Sequence, residues 1–190
     1  MLNASDRDRA LPQVFPYPTR NVALNQLSNV EILACAASTS GRDSVLLHVL
    51  PVSNFDMVSS APQFNVVPRS VPGRVAGHHS AERSVGIVSV MKVDTEGYEA
   101  HVFLGAQNLL SGSAPPPIVF EFCDWAEERA FPGRKGWAQE LLIRAGYSLW
   151  TLSDYLQNRA PLNEPVTRGA HSIVGIPQTS GANDSATLGT

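Results

Sequence analysis

An α/β fold, with a mostly parallel sheet and an antiparallel strand pair at its end, is the architecture this sequence predicts. Three observations carry that expectation. Two apolar runs, Val85 to Val93 and Ile118 to Phe122, each end in acidic residues. Between them lies a stretch with helical spacing, and beyond a second helix the chain closes with two further strand-like runs.

The elements follow in chain order. Asn21 to Leu27 reads as the end of a helix, and Val30 to Ala37 as a strand closed by Ser38 to Gly41. Ser44 to Val49 reads as a second short strand. From Pro51 to Ser84 the chain carries Pro51, Pro62, Pro68, Pro72 and Gly73 with no sustained period, a longer irregular stretch than compact domains usually hold. Val85 to Val93 has the continuous apolar character of a strand buried on both faces. The segment Asp94-Thr95-Glu96-Gly97 follows at once, and then a helix from about Tyr98 to Leu110, on which Val102, Phe103, Ala106, Leu109 and Leu110 share one face. The Pro115-Pro116-Pro117 break precedes the strand Ile118 to Phe122. A helix from about Gly136 to Ala145 stops at Gly146, a residue suited to the C′ position. Tyr147 to Leu152 and His171 to Ile176 complete the sheet. One domain is expected over residues 21–177, with a loose segment at 1–20 and a disordered tail at 178–190.

Composition narrows the function classes. The chain has 190 residues, 43% of them hydrophobic, enough for one sizeable core. A net charge of −3 without a Lys/Arg run offers no footprint for a phosphate backbone, so no nucleic-acid partner is expected. No stretch has the length of a membrane span and the first residues lack the apolar core of a signal peptide, which predicts a soluble, cytoplasmic protein. Cys35 and Cys123 stand in separate apolar runs and read as buried free thiols. The histidines show neither HxH nor HExxH spacing, so no metal site is expected on them.

In an open α/β sheet, ligands bind beyond the carboxyl ends of the strands, where loops leave and helix N-termini point their free N–H groups. Two such ends carry acids here: Asp94, Glu96 and Glu99 after one strand, Glu121 and Asp124 at the other. Adjacent parallel strands would gather Asp94, Glu96, Glu121 and Asp124 at one rim, where carboxylates can orient a hydroxyl, accept its proton or hold a cation. Each motif has an equally simple structural explanation. Asp94 or Thr95 could cap the following helix, Glu96 and Glu99 complement its dipole, and Gly97 permit the turn. Asp124 could cap a short helix through Glu128 and Trp125 anchor the core. Lys92 reads as an exposed or snorkelling side chain.

Taken together, "VMKVDTEGYEAHVFLGAQNLL", "PPIVFEFCDWAEERA" and "AGYSLWTL" resemble the FkbM family of methyltransferases, whose members carry a K-[IV]-D-x-E-G strand end followed by a helix of the form E-x-x-V-L-x-G-A. "NVALNQLSNVEILACAASTSG" is similar to the family's preceding helix and strand, so the resemblance covers about residues 21–177. It implies a class I methyltransferase, Rossmann-like fold, with S-adenosylmethionine as methyl donor and a small-molecule or sugar hydroxyl as acceptor. By that resemblance Asp94, Glu96 and Glu121 belong to the active-site rim, and Ala36, Ala37 and Ser38 lie near the adenine of the cofactor. A metal-assisted variant would place one divalent cation on Asp94, Glu121 and Asp124.

The family also opens with a strand and a Gly-rich turn of the D-x-G-A-x-x-G kind, then an acid that binds the ribose. No glycine precedes Asn21, and Phe15-Pro16 supplies no acid. The expectation is therefore an N-terminally incomplete homologue with an impaired donor site. Two other readings compete. An interaction module could associate with itself or a partner through the exposed edge of the strand at Ile87. A nicotinamide-dependent oxidoreductase is disfavoured, because no G-x-G-x-x-G follows any strand.

Overall fold

The computed structural model describes residues 16–39, 44–49, 58–59, 69–75 and 86–178. The chain is mixed α/β. Its largest sheet, β6 (Met91–Val93), β7 (Ile118–Cys123), β8 (Tyr147–Thr151) and β9 (Ala170–Pro177), has the order β6-β7-β9-β8. β6 and β7 run parallel, and β9 runs antiparallel to both β7 and β8. The parallel pair with an antiparallel finish is present, but the sheet is mixed rather than mostly parallel as expected, with one parallel and two antiparallel strand pairings.

A parallel pair needs a crossover. Here it consists of α2 (Glu99–Gly105) and α3 (Gln107–Leu110), which the sequence reading joined as one helix. They part at Ala106, whose φ of −99° and ψ of 8° depart from helical values. The apolar face drawn from helical spacing nonetheless holds: Val102, Phe103, Ala106 and Leu110 are all buried. They meet β7, where Ile118, Phe120 and Phe122 alternate inward while Val119 and Glu121 face the other side, half-buried. Phe103 and Phe120 pack edge to face, their ring centres 5.2 Å apart at 89°.

α5 (Trp137–Arg144) starts at Gly136 and ends before Gly146, both at a φ of +86° where glycine avoids a Cβ penalty. Ala138, Gln139 and Leu142 form its buried face against α2 and β8. Gln139, wholly buried, donates from Nε2 to the Val166 carbonyl and accepts the Val166 N–H at Oε1, each at 2.8 Å. A polar side chain so placed costs little because both of its functions are met. Between β8 and β9 lies a helix that the sequence reading missed, α6 (Leu152–Leu156). Thr151 caps it by accepting the Asp154 N–H, and its hydroxyl donates to Asp154 Oδ2 at 2.7 Å.

The N-terminal part is assembled from shorter pieces. α1 (Pro16–Leu24) ends as expected near Leu27 but begins inside the segment expected to be loose. The strand expected over 30–37 shrinks to β1 (Ala36–Ser38), because only those residues find a partner, β5 (Gly73–Val75). Val30 is exposed instead. β2 (Val45–Val49) is present and lies between β3 (Val58–Ser59) and β4 (Arg69–Val71). The stretch expected to be irregular from Pro51 to Ser84 thus supplies three strands, and apart from Pro72 between β4 and β5 the remainder of that stretch is outside the described residues. The strand expected from Val85 is also shorter: only Met91–Val93 pair, while Ile87 is 81% and Val90 60% exposed. The disordered tail expected beyond 178 also falls outside the described residues.

One contact joins the two parts closely. A Cβ on Gly105 of α2 would stand 2.2 Å from the Ser38 carbonyl oxygen of β1, so only glycine permits this approach. Among the described residues, no helix is long and apolar enough to cross a membrane.

Candidate functional site

The site begins with register. β6 and β7 pair in parallel with Val93 opposite Phe120, so the turn that leaves β6 lies beside the middle of β7, which continues to Cys123. Asp94 follows Val93, and Glu121 follows Phe120. Asp94, Glu96 and Glu121 each place one carboxyl oxygen within 4.8 Å of the others. The three acids expected at the rim therefore do meet.

Their turn has a specific cause. Glu96 and Gly97 both adopt positive φ, +54° and +94°. A Cβ on Gly97 would lie 2.5 Å from the Ala126 carbonyl, so the turn rests directly on the backbone of α4 (Asp124–Ala130). Neither Asp94 nor Thr95 caps α2: the N-cap position is Tyr98, with no side-chain cap. Glu99, read from the sequence as a complement to the helix dipole, is buried at 1% exposure. Its Oε1 accepts the Thr95 N–H at 2.7 Å and the Thr95 hydroxyl at 3.0 Å, which ties the turn from below.

Charge at the rim is crowded. Burial, then the charges of Glu121, Asp94 and Glu99, raises the Glu96 carboxyl above its ordinary range. Burial, then the charge of Asp94 and a hydrogen bond between the two side chains, raises Glu121. Lys92 offsets part of this repulsion, its Nζ 2.6 Å from Asp94 Oδ2. Lys92 is exposed, as its place in the strand suggested, with its ammonium paired to this acid. A rim so arranged can accept or return a proton, and its three oxygens could bracket one small cation.

Asp124 does not join them. Its carboxylate accepts the Gly169 N–H at 2.9 Å, a bond that holds its proton affinity low and spends the side chain on the start of β9. The cation set of Asp94, Glu121 and Asp124 is thereby corrected to Asp94, Glu96 and Glu121. Trp125 is 41% exposed and anchors no core.

The second expected group, Ala36, Ala37 and Ser38, forms β1. At its end, Ser38 and Thr39, together with Ser44, Val45, Leu46, Tyr98 and His101, line a pocket of about 300 Å³. Tyr98 follows Gly97 directly, so pocket and acid turn share one chain segment. Tyr98 and His101 were not singled out as binding residues from the sequence. Their helical spacing on α2 was the available signal. The two rings meet edge to face at 4.4 Å, and Phe131 and Trp137 continue the aromatic cluster beside His101.

Compared with protein-family models, with curated proteins and with solved structures, the chain matches none.

Proposed function

We propose that this chain is a homologue of the FkbM-type, S-adenosylmethionine-dependent O-methyltransferases, with Asp94, Glu96 and Glu121 as its acceptor-binding rim. The meeting of those three carboxyls where β6 ends beside its parallel neighbour β7 is the observation that carries the reading. The sheet order, with an antiparallel pair after a parallel one, is compatible with the closing half of a Rossmann-like methyltransferase fold.

The pocket beside Ser38 fits part of the donor. Its volume is at the lower end of small-molecule sites, and the Tyr98 and His101 rings beside Ser38 and Thr39 suit a flat base with polar edges. Among the described residues, no carboxylate lines it to hold a ribose diol. S-adenosylmethionine, when bound, supplies an electrophilic methyl group on a sulfonium. The chain's own task is to hold the acceptor hydroxyl in line and to take its proton, for which Glu96 and Glu121 are poised by burial and mutual repulsion. Lys92 keeps Asp94 oriented beside them.

Backbone amide NMR during titration with S-adenosylmethionine tests the donor side. The expected result is binding in the millimolar range, weaker than a site with a ribose acid, with shifts centred on Ser38, Thr39, Tyr98 and His101. A titration that moves none of these four sinks the reading.

A second reading has its own support. Ile87 and Val90 are exposed, and among the described residues β6 pairs on one edge only. An interaction module would use this edge to add a strand from a second copy. Size-exclusion chromatography with light scattering distinguishes the two: a monomer that persists at high concentration removes edge pairing, and a dimer dispersed by Ile87→Lys supports it.

A further inference from the structure

Apart from the acid rim and the pocket beside Ser38, the chain holds a second and larger cavity, of about 480 Å³. It shares no lining residue with either. The chain departs from helical geometry at Ala106, and the cavity lies just beyond, where α3 stands beside the last turn of α5.

Its floor is apolar. Phe103 of α2 and Leu110 of α3 are 1% and 3% exposed, and Leu141 and Ala145, one turn apart on α5, are partly buried against the same core. Its rim is polar: Gln107, Asn108 and Ser111 stand exposed on the α3 side, and Arg144 on the α5 side. The two amides and the hydroxyl offer donors beside the guanidinium. Among the described residues, no carboxylate joins Arg144 in the lining.

The guanidinium is open to a ligand. Arg144 pairs with Glu140 at 3.5 Å across one turn of α5, with the two side chains 74% and 47% exposed. So exposed a pair is weak, and a ligand carboxylate can take the place of Glu140 in bidentate geometry. The carbonyls that end α5 favour a cation here, but their dipole amounts to about half an elementary charge, less than the full charge of the arginine. Glu140 itself lies outside the lining.

We propose that this cavity binds a small amphipathic carboxylate, whose apolar body lies on Phe103, Leu110, Leu141 and Ala145 and whose carboxylate meets Arg144 with the amides of Gln107 and Asn108. Its volume and its apolar floor with a few convergent polar groups are those of small-molecule sites. The site stands without methyl transfer, since no residue of the acid rim takes part.

The test titrates the full chain, followed by amide NMR, with three probes that share one apolar body: octanoate, octanol and octylammonium. Octanoate is expected to bind about tenfold more tightly than octanol, with shifts centred on Gln107, Asn108, Ser111 and Arg144. Octylammonium should bind more weakly than octanol. Arg144→Gln, at a side chain too exposed to disturb the core, should bring octanoate down to the affinity of octanol and leave octanol unchanged. Arg144→Lys should keep part of the preference, because it keeps the charge and loses the fork. Absent binding, equal binding of octanoate and octanol, or a preference for octylammonium would overturn the proposal. So would shifts centred instead on Ser38 and Tyr98, or a preference for octanoate that survives Arg144→Gln.

Discussion

The two parts of this chain are built from similar ingredients with different results. From β7 to β9 the strands are joined in long registers, six residue pairs between β7 and β9 and five between β8 and β9, over a core of Phe103, Phe120, Phe122, Leu142 and Ile173. From β1 to β5 the registers are two or three residues long, and among the described residues from Ala34 to Val75 the buried ones are Ala34, Ser38 and Val71. Apolar content is not what separates them, since Ile32, Leu33, Val45, Leu46 and Leu47 are as hydrophobic as anything in β7. The difference is coverage. β7 has Phe103 of α2 against one face and strands on both edges, whereas among the described residues the contact of α2 with the first strands is at β1. Hydrophobic residues stabilise only where a second layer removes them from water.

That contrast can be broken most severely at its strong side. Phe120→Ala is expected to cost about 3–5 kcal/mol in urea unfolding, as a buried aromatic deleted from a close-packed core does, while Leu46→Ala, at a position 55% exposed, stays within about 0.5 kcal/mol. Equal losses would show that the two parts share one core after all. A smaller effect probes the seam. Gly105→Ala forces α2 away from the Ser38 carbonyl, so hydrogen exchange should quicken at β1 and β5 while the β7 and β9 amides keep their protection. Uniform quickening across both parts would mean that the seam supports the whole molecule.

The same contrast explains what could be read from the sequence. β7, β9 and α5 were legible because their signals are local: an unbroken apolar run for β7, and a glycine at each end of the helix. The run from Val30 to Cys35 looked much the same, but a strand exists only where another strand pairs with it. The partner of β1 is Gly73–Val75, across a stretch whose prolines suggested no strand at all. At the site, Asp94, Glu96 and Glu121 followed from two strand ends placed side by side. Asp124 seemed to belong with them, and its diversion to Gly169 depends on a contact 45 residues away in the chain. Glu99 misled in the opposite direction. A glutamate in the first turn of a helix normally faces water, and burial of this one depends on Thr95 and α4, which no spacing in the sequence announces.

Gln139 has a consequence for how freely this protein can vary. Its amide offers Val166 the donor and acceptor that a neighbouring strand would offer, so part of the helix's hold on the long connection before β9 is on main chain. That part makes no demand on side-chain identity, whereas Leu162 and Val166 also pack against the core. Substitutions in the connection that spare those two residues and the Val166 backbone are the ones that can accumulate without loosening it.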